Sequence, residues 1–397
     1  MKKRGFGFSD LNKNVIKKGL CTACGTCVGV CPTGAIQFDF DLEEPTLTGS
    51  CTVCGICYAT CPGEDIPLPK LEKKFFGEAR TQENELLGVS TAFFKGFAID
   101  SGIRRLGASG GLTTALLLHT FEQGIIDGAI VTIMDPLKPW RAKPILATTR
   151  TELIEAAKSK YTISPNNMIL SQAAGIKRLV IVGLPCHIHG IRKVQSNKRL
   201  ASLSKKIVLL LGIFCGSNWS HKATEHLVRE YSDINFEEIE RFEYRGGDDS
   251  QDVKIFTRHK DEITITMAER RTVFQSMEKD RCRMCCDWSA ELADLSLGDI
   301  FDPRLRGNIR KVPNWNSIIV RTEKGLRLIE EAQKAGVIET SLLEEDSFYG
   351  NIGFEIKKHG AVNNLKERER YGWPIPNYHY KFSWQPKKKW LYQVPDG

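Results

Sequence analysis

Two matching cysteine runs near the N-terminus restrict this chain more than anything else in it. Cys21, Cys24, Cys27 and Cys31 form the first and Cys51, Cys54, Cys57 and Cys61 the second, each spaced C-x2-C-x2-C-x3-C and each followed by proline, Pro32 and Pro62. Thiolates at this spacing fit the cubane iron–sulfur clusters of bacterial ferredoxins, in which three cysteines wrap one face and the fourth crosses to the other cluster. The pattern therefore assigns Cys21, Cys24, Cys27 and Cys61 to one [4Fe–4S] centre, and Cys51, Cys54, Cys57 and Cys31 to a second. A zinc site or a disulfide scaffold are the competing readings. The doubled run with a proline after each fourth cysteine favours clusters, and clusters imply electron transfer.

Composition narrows the setting. Thirteen cysteines follow an N-terminus with no apolar signal region, which points to metal ligation in a reducing, cytoplasmic compartment rather than to disulfides. No apolar run is long enough to span a membrane, so any membrane association is expected to be peripheral, through a larger complex. The net charge of +8 favours anionic partners or cofactors, but nothing resembles a nucleic-acid module and no such partner is expected.

Along the chain, residues 1–66 read as a small α+β ferredoxin domain, with a strand-and-turn connection from Gln37 to Gly49 and a short basic lead-in. Residues 67–85 read as a charged linker wrapping onto the next domain. From 86 to 345 helices and strands alternate: strands at Ala92–Ala98, Asp127–Ile133, Leu179–Leu184 and Ile207–Phe214, and helices at Leu112–Glu122 and Lys324–Ala335. The continuous apolar runs at 179–184 and 207–214 fit strands buried on both faces, so an α/β domain with a mixed, largely parallel sheet is expected. Residues 238–266 alternate like antiparallel strands around a turn at Arg245–Asp249, and Ser317–Val320 reads as a further strand. The segment from 346 to 397, with Lys387-Lys388-Lys389-Trp390 and Tyr392, reads as a surface extension or docking strap.

Five cysteines remain. Cys186 and Cys215 follow two of the buried strands, where open α/β sheets gather ligands, and Cys282 and Cys285 sit on a later loop with the C-x2-C spacing. Spacing alone leaves two readings: a third cubane, or buried structural thiols. Cys286 is left over, as a neighbour or as a replacement for Cys285. Ser109-Gly110-Gly111 before a helix, with Thr113 in the first turn, offers close backbone approach and free N–H groups to a pyrophosphate, or is an ordinary turn. Lys160, Tyr161, Ser164 and Asn166 form a second candidate binding segment, or a polar loop before Pro165. His187 or His189 could donate a hydrogen bond to a cluster sulfur or cofactor, and Arg192, Lys193, Arg104 or Arg105 could hold phosphate or carboxylate.

Six stretches together resemble the beta-subunit family of coenzyme F420-reducing hydrogenase and F420-linked dehydrogenases. They begin at Ser109, Gln123, Lys160, Gly183, Gly212 and Cys282, the last running to Gly298-Asp299, and they cover about 86–340. The resemblance implies one flavin, FAD, with coenzyme F420 as substrate, and a third [4Fe–4S] cluster on Cys186, Cys215, Cys282 and Cys285. It implies flavin contacts at the Ser109–Thr113 and Lys160–Asn166 segments, extended by His187 and Arg192. It further implies hydride exchange between F420 and FAD, single electrons through the clusters, and a partner of hydrogenase, formate dehydrogenase, heterodisulfide reductase or respiratory type. A reductase of a large ring substrate, like 7-hydroxymethyl chlorophyll a reductase, and a non-catalytic relay subunit are the alternatives.

Overall fold

The computed structural model describes residues 6–245, 251–301, 311–344 and 352–385. The basic start, most of the expected turn at 245–249, and the Lys387–Tyr392 stretch lie outside them.

In the N-terminal unit each cysteine run coils around a short helix, Thr26–Gly29 or Ile56–Thr60, entered through a glycine in left-handed conformation (Gly25, φ 78°; Gly55, φ 77°). Between the runs lies an antiparallel hairpin, β1 (Ile36–Asp39) and β2 (Glu44–Leu47). The remaining strands are β3 (Ala92–Ala98), β4 (Gly128–Asp135), β5 (Lys138–Ala147), β6 (Leu179–Gly183), β7 (Ile207–Ile213), β8 (Ile239–Glu243), β9 (Val253–Thr257), β10 (Glu262–Ile265), β11 (Leu295–Phe301), β12 (Lys311–Val320) and β13 (Ile338–Leu342).

Eight of them form one mixed sheet in the order β13-β3-β12-β11-β7-β6-β4-β5. Its centre, β11-β7-β6-β4, is parallel, and antiparallel strands extend it on both sides. Leu179, Val180, Ile181, Leu210 and Leu211 in the central pair are fully buried, as expected for strands covered on both faces. One face carries the helices Leu112–Glu122 and Glu323–Lys334 through Leu116, Leu117, Leu328 and Ile329. The other carries the helix Pro185–Ser196 through Ile188, Ile191 and Val194, and the same apolar layer includes Val30, Ile56, Ile66, Leu68 and Leu71. The ferredoxin unit and the stretch after it thus share the core of the large domain. β8, β9 and β10 form a separate antiparallel sheet.

Residues 352–385 are not a surface extension. They form a helix, Ile352–Arg370, and a strap that inserts Phe354, Lys358, Ala361, Val362, Tyr378 and Phe382 into the interior. Lys358 Nζ donates to Glu85 O, Leu86 O and Glu291 Oε1 at 2.5, 2.9 and 2.7 Å. Glu291 also receives Arg80 Nη1 at 2.6 Å, and Arg80 Nε bonds Glu72 at 2.8 Å. The buried charges neutralise one another, which is the condition for burying them.

Candidate redox site

The two N-terminal cysteine sets each surround a small cavity. Cys21, Cys24, Cys27 and Cys61 line one, and Cys31, Cys51, Cys54 and Cys57 line the other, so the fourth cysteine of each run crosses to its neighbour. The backbone around them suits anionic sulfur. Ala23 (φ 55°) and Val53 (φ 52°) hold left-handed conformations that cost about 1–2 kcal/mol each. In return their N–H groups point at Cys21 Sγ and Cys51 Sγ, both at 3.4 Å, and Gly63 N–H points at Cys61 Sγ at 3.3 Å. Burial pushes the Cys21 and Cys57 thiols up to about 11, so thiolates here require compensating metal charge. The residues fit cubane clusters.

The third set also assembles. Cys186 opens the helix after β6, Cys215 follows β7, and Cys282 and Cys285 lie in and after the turn Asp280–Met284. Burial, and then the neighbouring thiols of Cys24, Cys215, Cys282 and Cys285, push the Cys186 thiol well up. Cys286 is 1% exposed and sits with Leu292 and Ala293 in the apolar core. The sets are electrostatic neighbours: the Cys24 thiol acts on Cys186, and the Cys57 thiol on Cys27.

Cys215 also lines a cavity of about 440 Å³ at the carboxyl ends of the parallel strands, within the size range of small-molecule sites. Ser109, Gly111, Thr113, Lys160, Tyr161, Ser164, Asn166 and His187 line it with Cys215. Gly111 (φ 74°) caps the helix Leu112–Glu122, whose first turn faces the cavity. Gly110 instead seats the loop on the sheet, accepting a hydrogen bond from Ala98 N at 2.7 Å where a Cβ would strike Gly96 O and Asn316. Ser109 Oγ donates to Asp299. Asn166 is held by Thr132 Oγ1 at 2.8 Å and Ser164 Oγ at 2.7 Å, and donates to Val182 O at 3.2 Å. Burial and then Lys158 push Lys160 down to about 7, opposed by carbonyl acceptors at Ala156 (2.6 Å) and Ala157 (2.5 Å).

Other candidates are placed elsewhere or otherwise engaged. Arg192, expected as a cofactor contact, is 2% exposed and turned into the core, donating to Leu292 O at 2.7 Å and Asp294 at 2.9 Å. Lys193 binds Cys61 O and Asp65 O, and Arg104 binds Ala98 O and Ile99 O. Both ring nitrogens of His187 are taken: Nδ1 accepts from Leu184 N at 3.0 Å, so Nε2 donates to Ser164 O at 2.9 Å. Burial pushes it down to about 4, keeping it neutral. His189 is buried against Asp287 at 2.8 Å rather than solvated.

Three comparisons bear on this arrangement. Residues 93–171 and 176–346 match the models of the coenzyme F420 hydrogenase/dehydrogenase beta subunit, N-terminal and C-terminal parts, and 13–69 match a 4Fe-4S dicluster domain. The coenzyme F420 hydrogenase subunit beta of Methanothermobacter thermautotrophicus is 31% identical over 73% of this chain and 99% of its own length. The chain belongs to the coenzyme F420 hydrogenase/dehydrogenase beta-subunit family. One component of the F(420)H(2) dehydrogenase of Methanosarcina mazei is 26% identical over 89% of this chain and 93% of its own length. A chain from the xenon-derivatised F420-reducing [NiFe] hydrogenase complex of Methanosarcina barkeri shares the fold, with a TM-score of 0.61 and 24% identity over 74% of this chain and 98% of that one.

In this family member the cavity has further polar walls that its sequence did not announce. Arg245 is 3% exposed, with Nη1 on Asp299 Oδ2 at 3.0 Å, Tyr161 as a further neighbour, and Nε and Nη2 buried without a close hydrogen-bond partner among the described residues. Gln251 Nε2 and Trp288 Nε1 are likewise buried donors without a partner among the described residues. Unpaired buried donors each cost about 1–3 kcal/mol, which an acceptor-rich ligand would recover. Tyr161 stands edge-on to Trp219 at 5.7 Å, with Arg270 4.9 Å above its ring, giving the cavity an aromatic wall. The donor set, the helix N-terminus and this wall fit FAD. Arg245 is separated from the Ser109 motif by over a hundred residues and meets it only through Asp299.

Proposed function

We propose that this chain is the subunit of an F420-linked oxidoreductase at which coenzyme F420 exchanges a hydride with FAD and from which single electrons pass to or from a partner. That partner is a hydrogenase, a formate dehydrogenase, a heterodisulfide reductase or a respiratory complex. FAD supplies the exchange between hydride and single-electron chemistry, and cubane clusters on the three cysteine sets carry electrons one at a time.

The observation carrying this reading is the succession of three cysteine sets leading away from the cavity. Cys215 lies in the cavity wall, Cys186 is within electrostatic reach of Cys24, and Cys27 of Cys57; Cys51, in the outermost set, is exposed. Arg245, Gln251, Trp288 and the Gly111 helix start would bind and orient the flavin, and Tyr161 and Trp219 would shield it from water. Ser109 and Arg245 converge on Asp299, holding the two walls of the cavity in register. The names of the family members above support F420 as the hydride donor or acceptor.

Anaerobically purified protein is expected to contain about twelve iron atoms and one FAD, as three cubanes and one flavin require. Reduced F420 should bleach the flavin on mixing while NADH leaves it unchanged. About eight iron atoms would remove the third cluster, and failure of both F420 and its reduced form to exchange with bound flavin would overturn the reading.

A further inference from the structure

The helix Ile352–Arg370 lies beyond the matched family segment, which ends at 346, yet it brings a cation to the third cysteine set. Lys357 Nζ donates to Cys282 O at 2.8 Å, the carbonyl of a ligand residue. Its electrostatic neighbours are Cys285, Cys282, Cys215 and then Glu278. Glu278 is itself engaged by Ser217 Oγ and by Arg283 at 3.5 Å. Asp287, an acidic neighbour of Cys215 and Cys285, is held by His189. A second cation, Arg281, is fixed by Gly63 O at 3.0 Å and by Tyr378 Oη at 3.2 Å, so the same C-terminal segment steadies both charges.

The position of Lys357 is imposed. On one side Phe354 packs edge-on to Phe214 and tilted against Trp288, at centroid distances of 5.1 and 5.6 Å. On the other Lys358 is locked to Glu291 and two carbonyls. The helix is thereby anchored on both sides of Lys357, and the Cys282 carbonyl holds the ammonium at 2.8 Å.

We propose that Lys357 is a positioning residue that sets the reduction potential of the cluster on Cys186, Cys215, Cys282 and Cys285, favouring its reduced form. A cubane with four thiolates is anionic and gains one more negative charge on accepting an electron. A fixed cation beside it, partly screened from water, therefore stabilises the reduced form more than the oxidised one. The cluster nearest the cavity is thereby made the acceptor for electrons leaving the flavin. The inference rests on the proposed third cluster.

The test uses full-length holoprotein, prepared anaerobically, with iron analysis and a potentiometric titration followed by electron paramagnetic resonance. Lys357→Gln is expected to keep about twelve iron atoms. At fixed ambient potential its third cluster should show a reduced-to-oxidised ratio roughly tenfold lower, about 59 mV for one electron. Lys357→Arg should keep both iron and potential. Tyr378→Phe, which removes one of the two oxygen partners of Arg281 while leaving Lys357 in place, should move the same cluster in the same direction by less. Full iron with an unshifted potential in Lys357→Gln would overturn the inference and leave the proposed function standing. Iron loss in Lys357→Gln with no shift in Tyr378→Phe would make the role a purely structural one and overturn it as well. About eight iron atoms in the unmodified protein would remove the third cluster and this inference with it.

Discussion

Arg245 is the residue whose surroundings are least balanced without a ligand. Its Nη1 holds Asp299 and its guanidinium also neighbours Tyr161, while Nε and Nη2 are buried without a close hydrogen-bond partner among the described residues. Hydrogen bonds to charged groups are worth about 1.5–3 kcal/mol, so Arg245→Met should weaken flavin binding by roughly tenfold to a hundredfold. Fluorescence titration of the deflavinated variant measures this, with iron content as the control. An unchanged affinity would mean that Arg245 only buttresses Asp299. His187 is the opposite case, a cavity residue with both nitrogens committed to the protein's own backbone. Its contribution is to hold the Ser164 turn, and chemistry at the ring is not available to it.

The elements that meet at the two inner cysteine sets are set by glycines. The loop Gly25–Gly29 lies against residues 165–170, with Asn167 N donating to Cys24 O at 3.0 Å and Asn167 Nδ2 to Thr26 Oγ1 at 2.8 Å. A Cβ at Gly190, on the helix that carries Cys186, would drive into Thr26 Oγ1 and come within 3.1 Å of Asn167 Nδ2. Alanine would otherwise favour a helix by about 1 kcal/mol, so any loss of stability in Gly190→Ala measures this wedge. A cost of about 1–3 kcal/mol is expected for overpacking. It should be accompanied by slower electron transfer between the third and first clusters in rapid-mixing experiments, with iron content unchanged. Elements of this kind were legible to different degrees. β6 and β7 are uninterrupted apolar runs and are read directly, and the crossed grouping of the cysteine runs around two cavities follows from their spacing. β5 carries Pro139 and Pro144, which argue against a strand; it survives because it is an edge, paired on one side only with β4. The helix Ile352–Arg370 has its buried stripe at Phe354, Lys358, Ala361 and Val362, a helical spacing hidden by the lysine at its centre. Arg245 was legible only as part of a turn, because its partner Asp299 is brought to it by the fold.

At the scale of the whole molecule, one buried charge network ties three distant parts of the chain together. Glu72 and Arg80 come from the stretch after the ferredoxin unit, Glu291 from the loop after the third cysteine set, and Lys358 from the C-terminal helix. Removing one partner from such a pair typically costs about 3–5 kcal/mol, because the remaining charge is stranded away from water. Lys358→Met is therefore expected to lower the chemical denaturation midpoint of the whole protein in a single transition. A variant in which the N-terminal unit melts separately would contradict the shared core. That core has a kinetic consequence. Val30 and Ile56 lie in the same apolar layer as Ile188 and Ile191, and Asn167 clasps Cys24 and Thr26 directly. The ferredoxin unit is accordingly no swinging arm. With the clusters placed as proposed, it would not commute between a loading and an unloading position, and the interval between electrons is expected to follow fixed tunnelling gaps and not the diffusion of a tethered carrier.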